Sequence, residues 1–431
     1  MQVNSSINYS VVVAGFLVLL FSMGVRQSFG LLMMPVTCTT DITGLDFSMV
    51  IAVQNLLWGT FAFLFGFLVA EIGEKTIILF GSALVIIGLM IIYSAKSPTQ
   101  FLMGAGIFMG VGLGALSFSI VLATVGKQIP TENAGMIFAI VSSGGSIGQF
   151  LLLPAVKWGL LYFSWQYIIL AMALGSLLLF PAGWICANSG NQSKPSNPEN
   201  DLKGEPKENH KRALGQKPRK SSYKQSALVL VKSFNNFSYM LINIGFAICG
   251  FHVTLISIHL PHYFQSLNST DISYFAGATA LSIIGFFNII GTLGTGWLMK
   301  HINPKSLLIA LYGMRSLLLL IFILSPKNNL NIAIFSLFIG LVWLATVPIT
   351  SNLINKLFGK ENLALLFGMA MFFHQIGAFF GAYAGGWFLN NYESVWLIAM
   401  FLSLLASIIH LPVKHETQPA FESELSTQKL T

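Results

Sequence analysis

Apolar runs alternate with short polar breaks along the whole chain, and each run is about as long as the roughly 20 residues a helix needs to cross a bilayer. The runs fall near 10–35, 47–70, 76–95, 99–125, 133–155 and 165–187, then resume near 237–261, 272–299, 304–325, 329–352, 363–389 and 394–413. This pattern predicts an all-α polytopic membrane protein with 12 transmembrane helices in two six-helix halves, 1–187 and 227–414. Between the halves lies "NQSKPSNPENDLKGEPKENHKRALGQKPRKSSYKQS", part of a basic linker assigned to 188–226, and a polar tail follows from 415 to 431. The linker has almost nothing to bury, so it reads as a flexible connection beside lipid headgroups or as a regulatory segment.

Charge placement orients the spans. Of the 23 Lys and Arg, only Lys96, Lys157 and Lys327 fall in loops on the side away from the termini, and only Arg26 and Arg315 fall inside spans. All the others lie on the side of the termini and linker. The positive-inside bias therefore places both termini in the cytoplasm of a cell with this protein in its inner or plasma membrane.

The halves also echo one another. At an offset of 233, Gly126-Lys127 falls on Gly359-Lys360, Gly135-Met136 on Gly368-Met369, Gly144 on Gly377 and Gly148 on Gly381. Spans 4 and 5 thus match spans 10 and 11, as expected for parallel repeats related by an axis along the membrane normal.

Composition agrees: 55% of the 431 residues are hydrophobic and 9% charged, with a mean hydropathy of +0.74. The formal charge of +8 is concentrated in the linker and the loops on its side, so it does not indicate nucleic acid. Cys38, Cys186 and Cys249 are far apart and lack metal-ligand spacing, so neither a disulfide framework nor a metal site is expected. No nucleotide loop or nucleophile elbow occurs, so neither an enzyme nor a cofactor is expected. The first apolar run is too long for a signal-peptide core and reads as a retained helix.

The arrangement resembles the major facilitator superfamily. Its signature loop after span 2, G-x-L-x-D-R-x-G-R-R, has a degenerate counterpart in "GFLVAEIGEK", Gly66 to Lys75, repeated after span 8 as "GWLMKHINPK", Gly296 to Lys305. Ala70 stands where the family has Asp, and Glu71 where it has a basic residue. The segments "GVRQSFGLLMMPVT", "AVQNLLWGTFAFLFG", "SSGGSIGQFLLLP", "CGFHVTLISIHLPHYF", "GFFNIIGTLGTGWL" and "FFHQIGAFFGAYAGG" are similar to bacterial monocarboxylate-transporter-like and oxalate/formate-antiporter-like members. The resemblance implies the major facilitator fold, with spans 1, 2, 4, 5, 7, 8, 10 and 11 around a cavity. It further implies alternating access to a small carboxylate, by proton symport or anion exchange.

The polar inventory points the same way. None of the 15 acidic residues falls in a predicted span interior. Arg26, Arg315, His252, His259 and His374 are ionisable groups inside spans. An arginine at a span centre costs about 2.5–3.5 kcal/mol on insertion scales and is normally matched by a partner or a wet cavity. With no fixed carboxylate available, Arg26 is expected to meet an anionic substrate, which it can grip bidentately. Its plainer alternatives are pairing with backbone carbonyls or snorkelling. Gln54, Asn55, Gln149, His252, Asn288, His374 and Gln375 complete the candidate substrate site; Gln54, Asn55, Gln149 and Asn288 read equally well as interhelical hydrogen-bond partners. His252 and His374 are the candidates for proton coupling, because histidine titrates near neutrality. Arg315, His259, Gly66 and Gly296 are assigned structural or gating roles. The expected partners are a small organic anion, the bilayer and, for symport, protons, with the protein acting as a monomer. A bulkier anion such as a siderophore, another acidic metabolite, drug efflux, and a membrane receptor that binds without transporting remain alternatives.

Overall fold

The computed structural model describes residues 9–126, 134–188, 223–267, 272 and 276–414. Eleven of its helices are long and apolar enough to span a membrane: Tyr9–Thr39, Gly44–Val69, Glu74–Tyr93, Pro98–Leu122, Trp165–Ala187, Phe237–Ser266, Ala276–Leu298, Pro304–Leu324, Asn329–Phe358, Leu365–Trp387 and Tyr392–Ile409. The helix Ala134–Gly159 stands fifth in order. These twelve are numbered spans 1 to 12. They lie within a few residues of the apolar runs, because hydropathy and length are local properties of the chain.

Local chemistry sets several boundaries. Span 2 opens with a capping box, in which the Thr43 hydroxyl accepts from the Asp46 N–H and the Asp46 carboxylate accepts from the Thr43 N–H. Gly359, at a φ of 78°, makes the sharp turn from span 10 to span 11. Lys127, the repeat partner of Lys360, most of the linker (189–222) and the tail after Lys414 lie outside the described residues. The last residues assigned to the linker are helical, since Tyr223–Phe234 forms a short amphipathic helix. Its Phe234 meets Phe373 of span 11, with ring centroids 6.3 Å apart.

The spans are not all continuous. Span 1 breaks at Ser28, between Tyr9–Gln27 and Phe29–Thr39. Span 4 carries a π-helical turn over Leu102–Phe108, where Gly104 packs against the Gly88 backbone of span 3. Span 10 breaks between Asn329–Leu341 and Thr346–Phe358.

The repeated glycines do the same work in both halves. Gly144 and Gly148 of span 5 lie on the Phe16 and Leu20 carbonyls of span 1, and Gly377 and Gly381 of span 11 lie on the Ala247 and Phe251 carbonyls of span 7. A side chain at any of these four positions would run into backbone. The equivalence seen in sequence is thus a shared close approach of two helices.

Between the halves, span 2 packs on span 11, span 5 on span 8, and the second segment of span 1 on span 7. The seam is closed on the side away from the termini: Gly30 meets Ser257, Gly386 meets Ser48, and Gly44 meets Leu389. Gln149 Nε2 donates to the Leu281 carbonyl (2.9 Å), and Lys157 Nζ donates to Thr279 Oγ1 (3.2 Å). On the side of the termini, Gly66, Gly294, Gly296 and Gly368 have nothing among the described residues within 4 Å of the point where a side chain would begin. Among the described residues, the open space therefore lies towards the face that carries both described ends.

Candidate functional site

Arg26 sits in the last turn of the first segment of span 1, immediately before the break at Ser28. The turn there stays hydrogen-bonded: the Ser28 N–H donates to the Gly24 and Val25 carbonyls. Arg26 is 6% exposed. Nη2 donates to Asn55 Oδ1 of span 2 (2.6 Å), and the guanidinium lies over the Trp58 ring, 4.6 Å from its centroid. Asn55 is itself held by donating to the Ile51 carbonyl (2.7 Å). Nε of Arg26 has no partner. Among the described residues no Asp or Glu is buried, so the charge is positioned but not neutralised.

Asn55, Trp58 and Gly59 share one face of span 2 by helical spacing. The missing side chain at Gly59 lets Gln375 of span 11 lie against span 2 one turn beyond Asn55. Both amide atoms of Gln375 are buried without partners, as is the Gln27 side-chain oxygen beside Arg26. Arg26, Asn55, Trp58 and Gln375 therefore gather across the span 2–span 11 seam, with several unmade polar contacts.

The other candidates lie apart from this group. Gln54 turns away and donates to the Ala105 carbonyl of span 4 (2.7 Å). Gln149 joins span 5 to span 8 through the Leu281 carbonyl. Asn288 bridges three spans: Nδ2 donates to Ser146 Oγ of span 5 (3.0 Å), and Oδ1 accepts from the Leu344 N–H in the break of span 10 (3.0 Å). His252 points between spans 7 and 12, with Nδ1 2.7 Å from the Ile248 carbonyl and Nε2 2.7 Å from the Ala399 carbonyl. Neither ring nitrogen is left for a substrate. His374 packs between spans 11 and 7 against Phe246, and neither of its ring nitrogens has a hydrogen bond. His259 lies near the closed end of the seam, at the junction of spans 7, 11 and 12. Gly66 and Gly296 border the open end.

Arg315 occupies a site of its own. Nη2 donates to the Val342 carbonyl (2.6 Å) and the Trp343 carbonyl (2.7 Å), capping the first segment of span 10 where it breaks. Arg315→Met leaves these two carbonyls without a donor, at about 1–3 kcal/mol for each buried unsatisfied group. Nε and Nη1 of Arg315 are also unpaired, which limits the net loss. The expected outcome is a lower melting temperature in detergent, with flux per folded molecule retained. Unchanged thermal stability would remove the capping role.

The sequence reading missed Trp58, although its i+3 spacing from Asn55 was available.

A sequence profile of the Major Facilitator Superfamily matches residues 12–351. The MFS-type transporter YcxA of Bacillus subtilis (strain 168), itself uncharacterized, is 23% identical over 398 residues, covering 90% of this chain and 90% of its own. Monocarboxylate transporter 12 of Rattus norvegicus is 24% identical over 347 residues, 77% of this chain and 70% of that protein. Among solved structures, a D-xylose-proton symporter aligns with a TM-score of 0.68 at 15% identity, covering 96% of this chain and 100% of that one; at this identity the likeness concerns the fold. Twelve spans, glycine contacts repeated in both halves and a profile match over most of the chain converge on one conclusion: this multi-pass membrane protein belongs to the Major Facilitator Superfamily.

Proposed function

We propose that this secondary transporter carries a small organic anion, a monocarboxylate in the first instance, with Arg26 as its principal positive contact. The observation that supports this reading is the Arg26 guanidinium itself. It is buried, oriented by Asn55 and Trp58, and faces no buried carboxylate among the described residues. A buried arginine gains most from a bidentate anion, and a mobile anion supplies the missing charge only while it is bound. Gln375, with both amide atoms unmade, is the second contact, from the opposite half. A site shared by the two halves is what rocking around a central substrate requires. The likeness to a monocarboxylate transporter, at 24% identity, points to the same cargo. On this reading both termini are cytoplasmic, and the structure represents the inward-open state of a monomer.

The test is uptake of a panel of radiolabelled monocarboxylates by the purified protein in proteoliposomes, with and without a pH gradient. At least one is expected to accumulate or exchange above protein-free liposomes. Gradient-driven accumulation marks proton symport, and exchange alone marks antiport. No flux of any member removes the carboxylate reading.

A further inference from the structure

We propose that His262, Tyr392 and His259 form a directed proton relay from the surface away from the termini to a buried imidazole beside the closed gate. The relay rests on the proton-coupled branch of the function proposed above. It places the proton-accepting group at His259, whereas the sequence pointed to His252 and His374.

The hydrogen bonds fix the direction. His259 Nε2 lies 2.9 Å from the Ala382 carbonyl of span 11, which can only accept. The proton of neutral His259 is therefore on Nε2, and Nδ1 holds a lone pair. Tyr392 Oη, the first side chain of span 12, lies 3.2 Å from that Nδ1 and donates to it. A phenol has a single proton, so its second contact, His262 Nδ1 at 2.9 Å, must be the donor to Oη. The chain of bonds runs from His262 Nδ1–H to Tyr392 Oη–H to His259 Nδ1. His262 is half-buried and, among the described residues, its Nε2 makes no hydrogen bond, whereas Tyr392 is 5% exposed and His259 is fully buried. Water reaches the first member and not the last.

The transfer balances. Hydronium gives a proton to His262 Nε2 and becomes water; the Nδ1 proton passes to Tyr392 Oη as the Oη proton passes to His259 Nδ1. The products are an imidazolium at His259, a neutral tyrosine and a neutral His262 of the opposite tautomer. Reverse transfer resets the relay.

The end point lies where the halves meet. Gly30 of span 1 closes against the Ser257 and Ile258 backbone, immediately before His259, and Gly277 of span 8 packs on Pro261. A proton arriving at His259 adds charge directly behind that contact. The charged and titratable groups around the relay are few. Span 12 brings Glu393, which acts on Tyr263 and on Lys327 of the turn after span 9. Span 5 brings Lys157, which lines the same small cavity as Pro261 and Gln265. Span 11 presents the Ala382 carbonyl and Gly385, and the facing stretches of spans 1 and 8 present Gly30 and Gly277. Lys327 donates to the Phe322, Ile323 and Ser325 carbonyls.

The test is substrate-free, so its result is separate from that of the carboxylate panel. The full chain, labelled with ¹⁵N-histidine in nanodiscs, is stepped from about pH 8 to about pH 4, through and below the ordinary histidine range. Imidazolium formation at His259 is followed by NMR, with assignment by single His→Gln variants. Wild type is expected to form it; Tyr392→Phe, which keeps the ring packing and removes the Oη link, is expected to form it at least ~10-fold more slowly. His262→Gln is expected to match Tyr392→Phe. A wild-type rate in Tyr392→Phe overturns the relay, as does the absence of any His259 imidazolium in wild type. Flux then separates the two ideas: carboxylate transport with no effect of Tyr392→Phe on its pH profile retains the substrate reading and removes the relay.

Discussion

Arg26→Gln is expected to abolish transport while the protein still inserts and purifies as a monodisperse species. Glutamine is too short to reach Asn55 Oδ1 as Nη2 does, but it stays polar and leaves Asn55 its bond to the Ile51 carbonyl, so the local fold loses little. What disappears is the charge that has no buried carboxylate partner among the described residues. Removing one partner of a buried, hydrogen-bonded charge pair costs about 2–5 kcal/mol. At about 1.4 kcal/mol per tenfold change, flux at subsaturating substrate should fall by roughly 30-fold to more than 1,000-fold. Arg26→Lys should rescue poorly, because an ammonium neither forks to a carboxylate nor stacks as a plane on Trp58. Initial uptake rates in proteoliposomes, normalised to reconstituted protein, provide the measurement. Wild-type flux in Arg26→Gln would reduce Arg26 to a structural cation.

The second large effect concerns two glycines of one helix. Gly381→Leu is expected to prevent folding or to lower the melting temperature severely, because the new side chain would start inside contact distance of the Phe251 backbone of span 7. Overpacking typically costs about 1–3 kcal/mol and more where backbone must move. Gly148→Leu, the equivalent position in the first half, meets the Leu20 backbone and should behave alike. Gly368→Leu is the contrast. It adds the same bulk to span 11 in open space, so stability should match wild type. Transport should nevertheless fall, because alternating access requires the open side to close. Thermal melts in detergent and flux on the same preparations separate the three variants. Equal melting temperatures for Gly381→Leu and wild type would remove the packing argument, and full flux in Gly368→Leu would show that this stretch does not close.

The two buried arginines show how far a sequence can be read. Both stood out because a charge in an apolar run is visible without any partner. Their partners were not visible. Arg26 finds Asn55 and Trp58 on another span, and Arg315 finds carbonyls freed by a break in span 10, just before Pro348. His252 and His259 are seven residues apart and share a face by periodicity. One ring is nonetheless held between two carbonyls, while the other joins a tyrosine.

The twelve spans, the repeat of spans 4 and 5 in spans 10 and 11, and the isolation of positive charge from buried acid are legible in the sequence. Each follows from local hydropathy or from residue identities at a fixed offset. Tertiary contacts set which side of the seam is closed, where spans 1 and 10 break, and which polar groups share a site. Those depend on backbone contacts between residues far apart in the chain, such as Gly30 on Ser257 and Gln375 over Gly59. A helical period specifies the face on which a side chain starts, whereas the neighbouring span specifies where it ends.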